Sequence, residues 1–249
     1  MSETDGHITA LQFPASRKGA QTGVCVVIPV LNEEEAIGGV IARIPREAVS
    51  EIIVADGGST DRTVEIASRQ GARVLQVGKG YGRACLAGTL AASDACSIIV
   101  TMDGDGSDVP GEIPALIAPI LAGASDFVIG SRVRGVREPG SMAWHQLASG
   151  WLIGAAIGVL CGFRYTDMCA FRAIRRDALL SLGMREMTYG WNLEMQMKAA
   201  RRGLRILEIP MPYSRRAGGR SKVAGSFYGS LRAGSRILLT LGRVAIELR

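Results

Sequence analysis

Apolar residues along this chain fall into short unbroken runs separated by longer stretches of helical periodicity. Val24-Cys25-Val26-Val27-Ile28 contains no polar side chain, the pattern of a strand buried on both faces, and Pro29 closes it. Comparable runs follow at residues 51–55, 73–77, 97–102, 126–130 and 205–209. Helices are predicted between them over residues 32–44, 62–70, 82–92, from Pro110 onward, and over 192–202. The acids Glu33, Glu34 and Glu35 would fall in the first turn of the first helix, where the helix dipole favours them. Strands alternating with helices predict an α/β fold with a mostly parallel sheet.

After Ser131 and Arg132 the pattern changes. Residues 133–143 form a loop rich in Gly, Arg and Pro, and 144–163 are apolar with glycine punctuation. That stretch is short for a bilayer span, which takes about 20 apolar residues, so it reads as a core helix, with membrane contact as the alternative. Residues 214–224 are a basic, glycine-rich loop. From 226 to 249, Phe227, Leu231, Leu238, Leu241, Val244 and Leu248 recur at three, four or seven residues, and Arg232, Arg236 and Arg243 share a second helical row. An amphipathic basic helix of this kind lies at a lipid surface, packs on the preceding domain or forms a dimer seam. The expected organisation is a disordered leader over 1–22, a domain over 23–224, and the amphipathic helix over 225–249.

Composition narrows the function classes. The chain has 249 residues, 47% of them hydrophobic, enough for one sizeable core. Aromatics make up 5%, which argues against a base-stacking platform and against nucleic acid as a partner. The net charge of +6 is concentrated late: residues 201–249 hold eleven Arg or Lys against two Glu, a distribution suited to phosphorylated substrates or anionic lipid. Five cysteines without a C-x-x-C pair read as reduced and mostly buried, which suits the cytosol. Residues 1–22 have no apolar signal core.

The stretch with the most chemistry is residues 97–110. A buried-strand pattern there runs into Asp103-Gly104-Asp105-Gly106-Ser107-Asp108. Alternate side chains of extended backbone point the same way, so Asp103 and Asp105 converge. Two adjacent carboxylates suit Mg²⁺ or Mn²⁺, which keeps positions open for phosphate oxygens. Glycines at 104 and 106 leave room for a ligand. Asp56 ends the second strand run, so both acids would open onto the same sheet edge, where α/β proteins bind ligands. Asp56 could accept from a base or ribose hydroxyl or could cap the following helix, while Lys79 sits in a glycine-rich turn able to approach phosphate. No G-x-G-x-x-G follows the first strand, which argues against a nicotinamide site.

Taken in order, these motifs resemble the family-2 inverting glycosyltransferases of the GT-A fold, and within them the dolichol-phosphate mannosyltransferase and polyprenyl-phosphate glycosyltransferase branch. Pro29-Val30-Leu31-Asn32-Glu33 is similar to the family's P-x-x-N-E, and Asp56 through Thr63 to its base-binding acidic turn. Asp103-Gly104-Asp105 resembles its metal motif and Gly130-Ser131-Arg132 its G-S-R. Asp167 through Arg172 resembles its D-x-x-x-G-F-R, with Ala170 in place of the usual Gly. Arg216, Gly219, Ser221 and Lys222 resemble its late R-x-x-G-x-S-K, and Ser107-Asp108 replaces a common Gln-His pair.

The resemblance implies transfer of a hexose, with inversion, from a UDP- or GDP-sugar. It places the donor at Pro29, Asn32, Glu33, Asp56, Lys79, Asp103 and Gly104, with Mg²⁺ or Mn²⁺ on Asp103 and Asp105. A polyprenyl phosphate would be the acceptor, held by Arg132, Arg172, Arg216, Ser221 and Lys222. The alternative acceptor is a soluble phosphorylated or hydroxyl compound. A hydroxyl would require a general base, for which Glu194 is the candidate beside the catalytic Asp105 and Arg132. The protein is expected in the cytoplasm, peripheral at the inner membrane face, and a homo-oligomer is compatible with the tail.

Overall fold

The computed structural model describes residues 22–218 and 239–247. Most of the expected leader, Ser221, Lys222 and much of the expected tail helix lie outside the described residues. The strands are β1 (Gly23–Val30), β2 (Glu51–Asp56), β3 (Arg73–Gln76), β4 (Cys96–Thr101), β5 (Phe127–Ser131), β6 (Arg172–Arg175) and β7 (Ile206–Pro210). They form one sheet in the order β3-β2-β1-β4-β6-β5-β7. Every pairing is parallel except those of β6, which runs antiparallel to both β4 and β5.

The unbroken apolar runs became the strands covered on both faces: Cys25 to Ile28, Ile53 to Ala55 and Ile99 to Val100 are all fully buried. The covering helices are α1 (Ile37–Ala42), α2 (Thr63–Arg69), α3 (Tyr81–Ala91), α4 (Ile113–Leu121), α5 (Trp144–Cys161), α6 (Arg176–Ser181) and α7 (Trp191–Arg201). α3 presses on β1 through Gly88, where a Cβ would come within 2.3 Å of Val27 Cγ1. From β1 the chain builds outward to β2 and β3 on one side and to β4 on the other. The crevice at the carboxyl ends of β1 and β4 is therefore a topological switch point, the usual ligand position in an open α/β sheet.

Three expectations need correction. The first helix starts at Ile37, because Asn32 takes a left-handed φ of 52° and the acids after it are tied to the loop that follows β2. β6 and α6 were not expected: Arg172-Ala173-Ile174-Arg175 is short and bounded by arginines, so its two buried apolar residues made no visible run. Residues 144–161 form a helix, but not a core one: Trp144 is 79% and Val159 88% exposed. The described part of the tail, 239–247, is helical and buries Thr240 and Val244 against the domain, while Leu239 and Ile246 face outward.

β5 and β7 are clamped where they begin. Asp126 takes two charge-assisted bonds from Arg205, at 2.9 Å from Nε and 2.7 Å from Nη2, and also accepts the Arg205 backbone N–H. This pairing holds the Asp126 carboxyl down at about 2. The folded value lies below the unfolded one, so the stabilisation is present above pH ~4 and is lost as pH falls through 2. Asp126→Asn is expected to cost about 1–2 kcal/mol at neutral pH, after allowing for the half-exposed arginine, and only a small part of that at pH 2, where the folded-state carboxyl is half protonated. Urea unfolding at the two pH values checks this.

Candidate active site

Three loops meet at the carboxyl edge of β1, β2 and β4. Pro29 lies in β1 opposite Ala55, one residue before the strand ends. Asn32 and Glu33 follow, and both are fastened to the loop after β2. The Asn32 N–H donates to Ser59 Oγ at 2.9 Å, Asn32 Oδ1 accepts from the Thr60 N–H at 2.8 Å, and the Glu33 N–H donates to Thr63 Oγ1 at 2.8 Å. Asp61 joins the same lacing, accepting from Thr63 and from the Glu34 N–H. The turn holding exposed Lys79 lies alongside, because the Val77 N–H donates to the Asp56 carbonyl at 2.9 Å.

Asp56 is fully buried. Its carboxylate accepts from the N–H groups of Gly58 and Ser59 at 3.0 and 3.1 Å and from Ser59 Oγ at 2.5 Å. Of the two roles expected for Asp56, these bonds are the turn-capping one. Asp56 shapes the turn, in which Gly58 and Thr60 are exposed. The expectation for Gly104 is corrected. A Cβ there would meet Val30 Cγ1 at 2.7 Å, so the glycine serves close packing against β1 rather than ligand access.

The acid loop is more crowded than a pair. Asp108 accepts the Asp103 N–H at 2.9 Å, so three carboxylates share one turn. Burial raises the Asp103 carboxyl well above the ordinary range, with Asp108 and Asp105 adding to the rise while Arg132 and Arg216 oppose it. Burial likewise pushes Asp108 up to about 7. Asp105 is anchored by Ser107, whose N–H and Oγ both donate to Oδ1, at 2.9 and 2.5 Å. Its other oxygen lies 2.6 Å from Arg216 Nη1.

Arg216 arrives on a strap that crosses the site. The N–H groups of Met211, Tyr213, Ser214 and Ala217 donate to the carbonyls of Ser131, Val136, Ser107 and Asp105, at 2.9 to 3.0 Å. The Arg216 guanidinium spans Asp105 and Glu33, with Nη2 2.9 Å from Glu33 Oε1. Arg132 comes from the end of β5. Its backbone N–H, Nε and Nη2 all donate to Asp167, at 2.9, 2.8 and 2.7 Å, and its guanidinium lies 5.0 Å from the Tyr213 ring centre. The structure thus brings Asp103, Asp105, Arg132, Arg216 and Glu33 together. Asp108 and Tyr213 were missed. The carboxylate five residues after Asp103 was the signal for the first, and nothing local marked the second.

Two expected site residues lie elsewhere. Arg172 is fully buried on β6 over the Phe127 ring, donating to the Cys169 carbonyl, and burial lowers its pKa. It cannot reach an acceptor phosphate, and its place in the acceptor set is corrected to a core cation. Glu194 is also fully buried. It accepts the N–H groups of Arg185 and Glu186 at 3.0 and 2.6 Å, pairs with Lys198 at 2.9 Å and approaches Arg243 at 3.5 Å. Those contacts occupy both oxygens, so the expected general base is corrected to a structural carboxylate linking α7 to the tail helix.

The acid loop offers the donors a hard divalent cation takes: carboxylate oxygens whose mutual repulsion a cation would relieve. Among the described residues no group of three or more His, Cys, Asp or Glu is arranged to cage an ion alone. That matches the habit of Mg²⁺, which binds through one or two carboxylates and completes its shell with phosphate and water.

Known proteins similar to this chain are glycosyltransferases. The family described as "Glycosyl transferase family 2" matches residues 25–183. An uncharacterised glycosyltransferase of Mycobacterium tuberculosis is 38% identical over 215 residues, covering 85% of this chain and 94% of its own. The undecaprenyl-phosphate mannosyltransferase of Micrococcus luteus is 31% identical over 224 residues, covering 83% and 89%. Among solved structures, glucosyl-3-phosphoglycerate synthase of M. tuberculosis with Mn²⁺, uridine diphosphate and glucosyl-3-phosphoglycerate superposes at a TM-score of 0.71. It is 26% identical and covers 90% of this chain and 80% of its own. The sheet with its one reversed strand is therefore a GT-A fold, and the acid loop stands at the edge where the motifs placed it. The chain belongs to glycosyl transferase family 2.

Proposed function

We propose that this glycosyltransferase moves a hexose from a nucleotide-diphosphate sugar to a polyprenyl phosphate, using Mg²⁺ or Mn²⁺ held by Asp105 and Asp103. The observation that carries the reading is the convergence of Arg132 and Arg216 on the acid loop from two different parts of the chain. When bound, the cation neutralises the charge that grows on the departing diphosphate. Arg216 balances Asp105 and Glu33, and with a cation held at Asp105 its guanidinium would be available to bind phosphate. Arg132, fixed by three bonds to Asp167, is a preorganised cation whose position costs nothing to set during the reaction.

A phosphate acceptor is already ionised near neutral pH and needs no general base. This agrees with the burial of Glu194 and favours phosphate over hydroxyl acceptors. The lipid form of the acceptor is supported by relatives, among them the M. luteus enzyme and a dolichyl-phosphate hexose transferase of Haloferax volcanii. A second reading, a soluble phosphorylated acceptor, is favoured by the solved synthase that binds phosphoglyceric acid. Both readings place the protein in the cytoplasm, where nucleotide sugars are made. The lipid reading adds peripheral attachment at the inner membrane face.

The test is a kinetic split. Arg216→Ala is expected to raise the acceptor KM or lower kcat by about tenfold or more, while donor KM changes by less than about threefold. Equal damage to donor and acceptor terms would move Arg216 to the nucleotide's phosphates and remove the support it gives to the acceptor site.

A further inference from the structure

α5 carries no charged side chain along its 18 residues, yet only one side of it meets the domain. Gly154 and Ile157 are its buried positions, and a Cβ on Gly154 would come within 2.0 Å of the Tyr165 carbonyl oxygen. At about 100° per residue, Trp144, Ala148, Trp151, Leu152, Ala155 and Val159 fall within one arc of about 100° on the other side. Of these, Trp144, Trp151, Leu152 and Val159 are all more than half exposed. A helix that is apolar all round is ordinarily covered all round. An exposed apolar stripe this long marks a contact surface.

The rim of the stripe identifies the partner. The Arg164 guanidinium lies over the Trp151 ring, 5.6 Å from its centre, and Arg164 is exposed. At the other end, Arg137 Nη1 lies 4.0 Å from Met142 Sδ, two residues before Trp144. One exposed indole beneath an arginine, with a second exposed indole at the far end of the stripe, is a composition that settles at a bilayer's headgroup level, with rings in the boundary and guanidinium groups near anionic lipid. A second copy of this face would bring the same arginines against each other, and like charges across an interface are costly.

We propose that the exposed face of α5 is the surface by which this protein docks on an anionic lipid bilayer. The inference rests on the lipid-acceptor reading and deepens it. α5 lies in the chain between Arg132 and Asp167, the two members of one ion pair, so the docking surface belongs to the segment that this pair closes.

The chain's own tryptophans report on this. It has three, and the third, Trp191, is fully buried. The full chain is mixed with vesicles of phosphatidylcholine alone, or with phosphatidylglycerol in equal parts, at low and high salt. The anionic vesicles are expected to blue-shift the emission, brominated acyl chains to quench it, and salt to weaken both effects. Trp144→Gln combined with Trp151→Gln should weaken partition by about a hundredfold, about tenfold for each indole withdrawn from the boundary. Cosedimentation measures this, and the double variant should keep turnover on a short, water-soluble polyprenyl phosphate. If the double variant sediments as well as the wild type, the docking surface lies elsewhere and this inference falls, while the acceptor reading stands. If wild type ignores vesicles and sediments as a dimer that the double variant breaks, a second copy covers α5 and the inference is overturned. Loss of turnover on the soluble acceptor in the wild type counts against the acceptor reading alone.

Discussion

Asp105→Asn is expected to lower sugar transfer by about 10²–10³-fold at saturating Mn²⁺ and to abolish the dependence on metal concentration. The substitution keeps the shape of the side chain and its bonds from Ser107, and removes the charge that pairs with Arg216 at 2.6 Å. The fold should survive, because the lost charge is one of those that push Asp103 and Asp108 upward, and Arg216 retains Glu33. Turnover against Mn²⁺, read beside a thermal melt, separates the two effects. An Asn enzyme with the wild-type rate and metal response would remove the acid loop from the chemistry.

Glu194→Gln carries the second large effect, on stability rather than on rate. The carboxylate is fully buried, and Lys198 beside it is almost so. Removing one charge leaves the ammonium with the Gly183 carbonyl as its main partner, at 2.7 Å. Breaking a buried pair from one side costs about 3–5 kcal/mol. The variant is expected to unfold at lower urea while its kcat per folded molecule stays within about twofold of wild type. A collapse of kcat with unchanged stability would restore Glu194 as a general base and reopen the hydroxyl acceptor.

What the sequence made legible follows from which interactions are local. The strands β1, β2 and β4 announced themselves because both faces are buried, so their side chains are apolar without interruption. The acid loop was legible because Asp103 and Asp105 are neighbours in the chain. Arg172 and Glu194 were misplaced for the opposite reason. A charged residue in a motif looks exposed, and its burial is decided by partners far along the chain. Arg172 depends on Phe127 and the Cys169 carbonyl, and Glu194 on the backbone at Arg185 and Glu186. Asp56 showed both possible roles in its own turn, and the lacing to Ser59 selected the structural one. α5 was read as core because its composition is that of a core, and only its packing reveals the open side.

The central claim is that the acid loop and the two arginines transfer sugar to a phosphate, and product identity tests it most directly. The full chain is incubated with UDP- and GDP-hexoses and Mn²⁺ or Mg²⁺, offered a short polyprenyl phosphate or phosphoglycerate, and the products are read by mass spectrometry. The account predicts one metal-dependent product, the polyprenyl phosphate carrying a single hexose. A hexosylated phosphoglycerate with no lipid product would contradict the acceptor assignment. Transfer that persists in chelator would contradict the role given to Asp103 and Asp105.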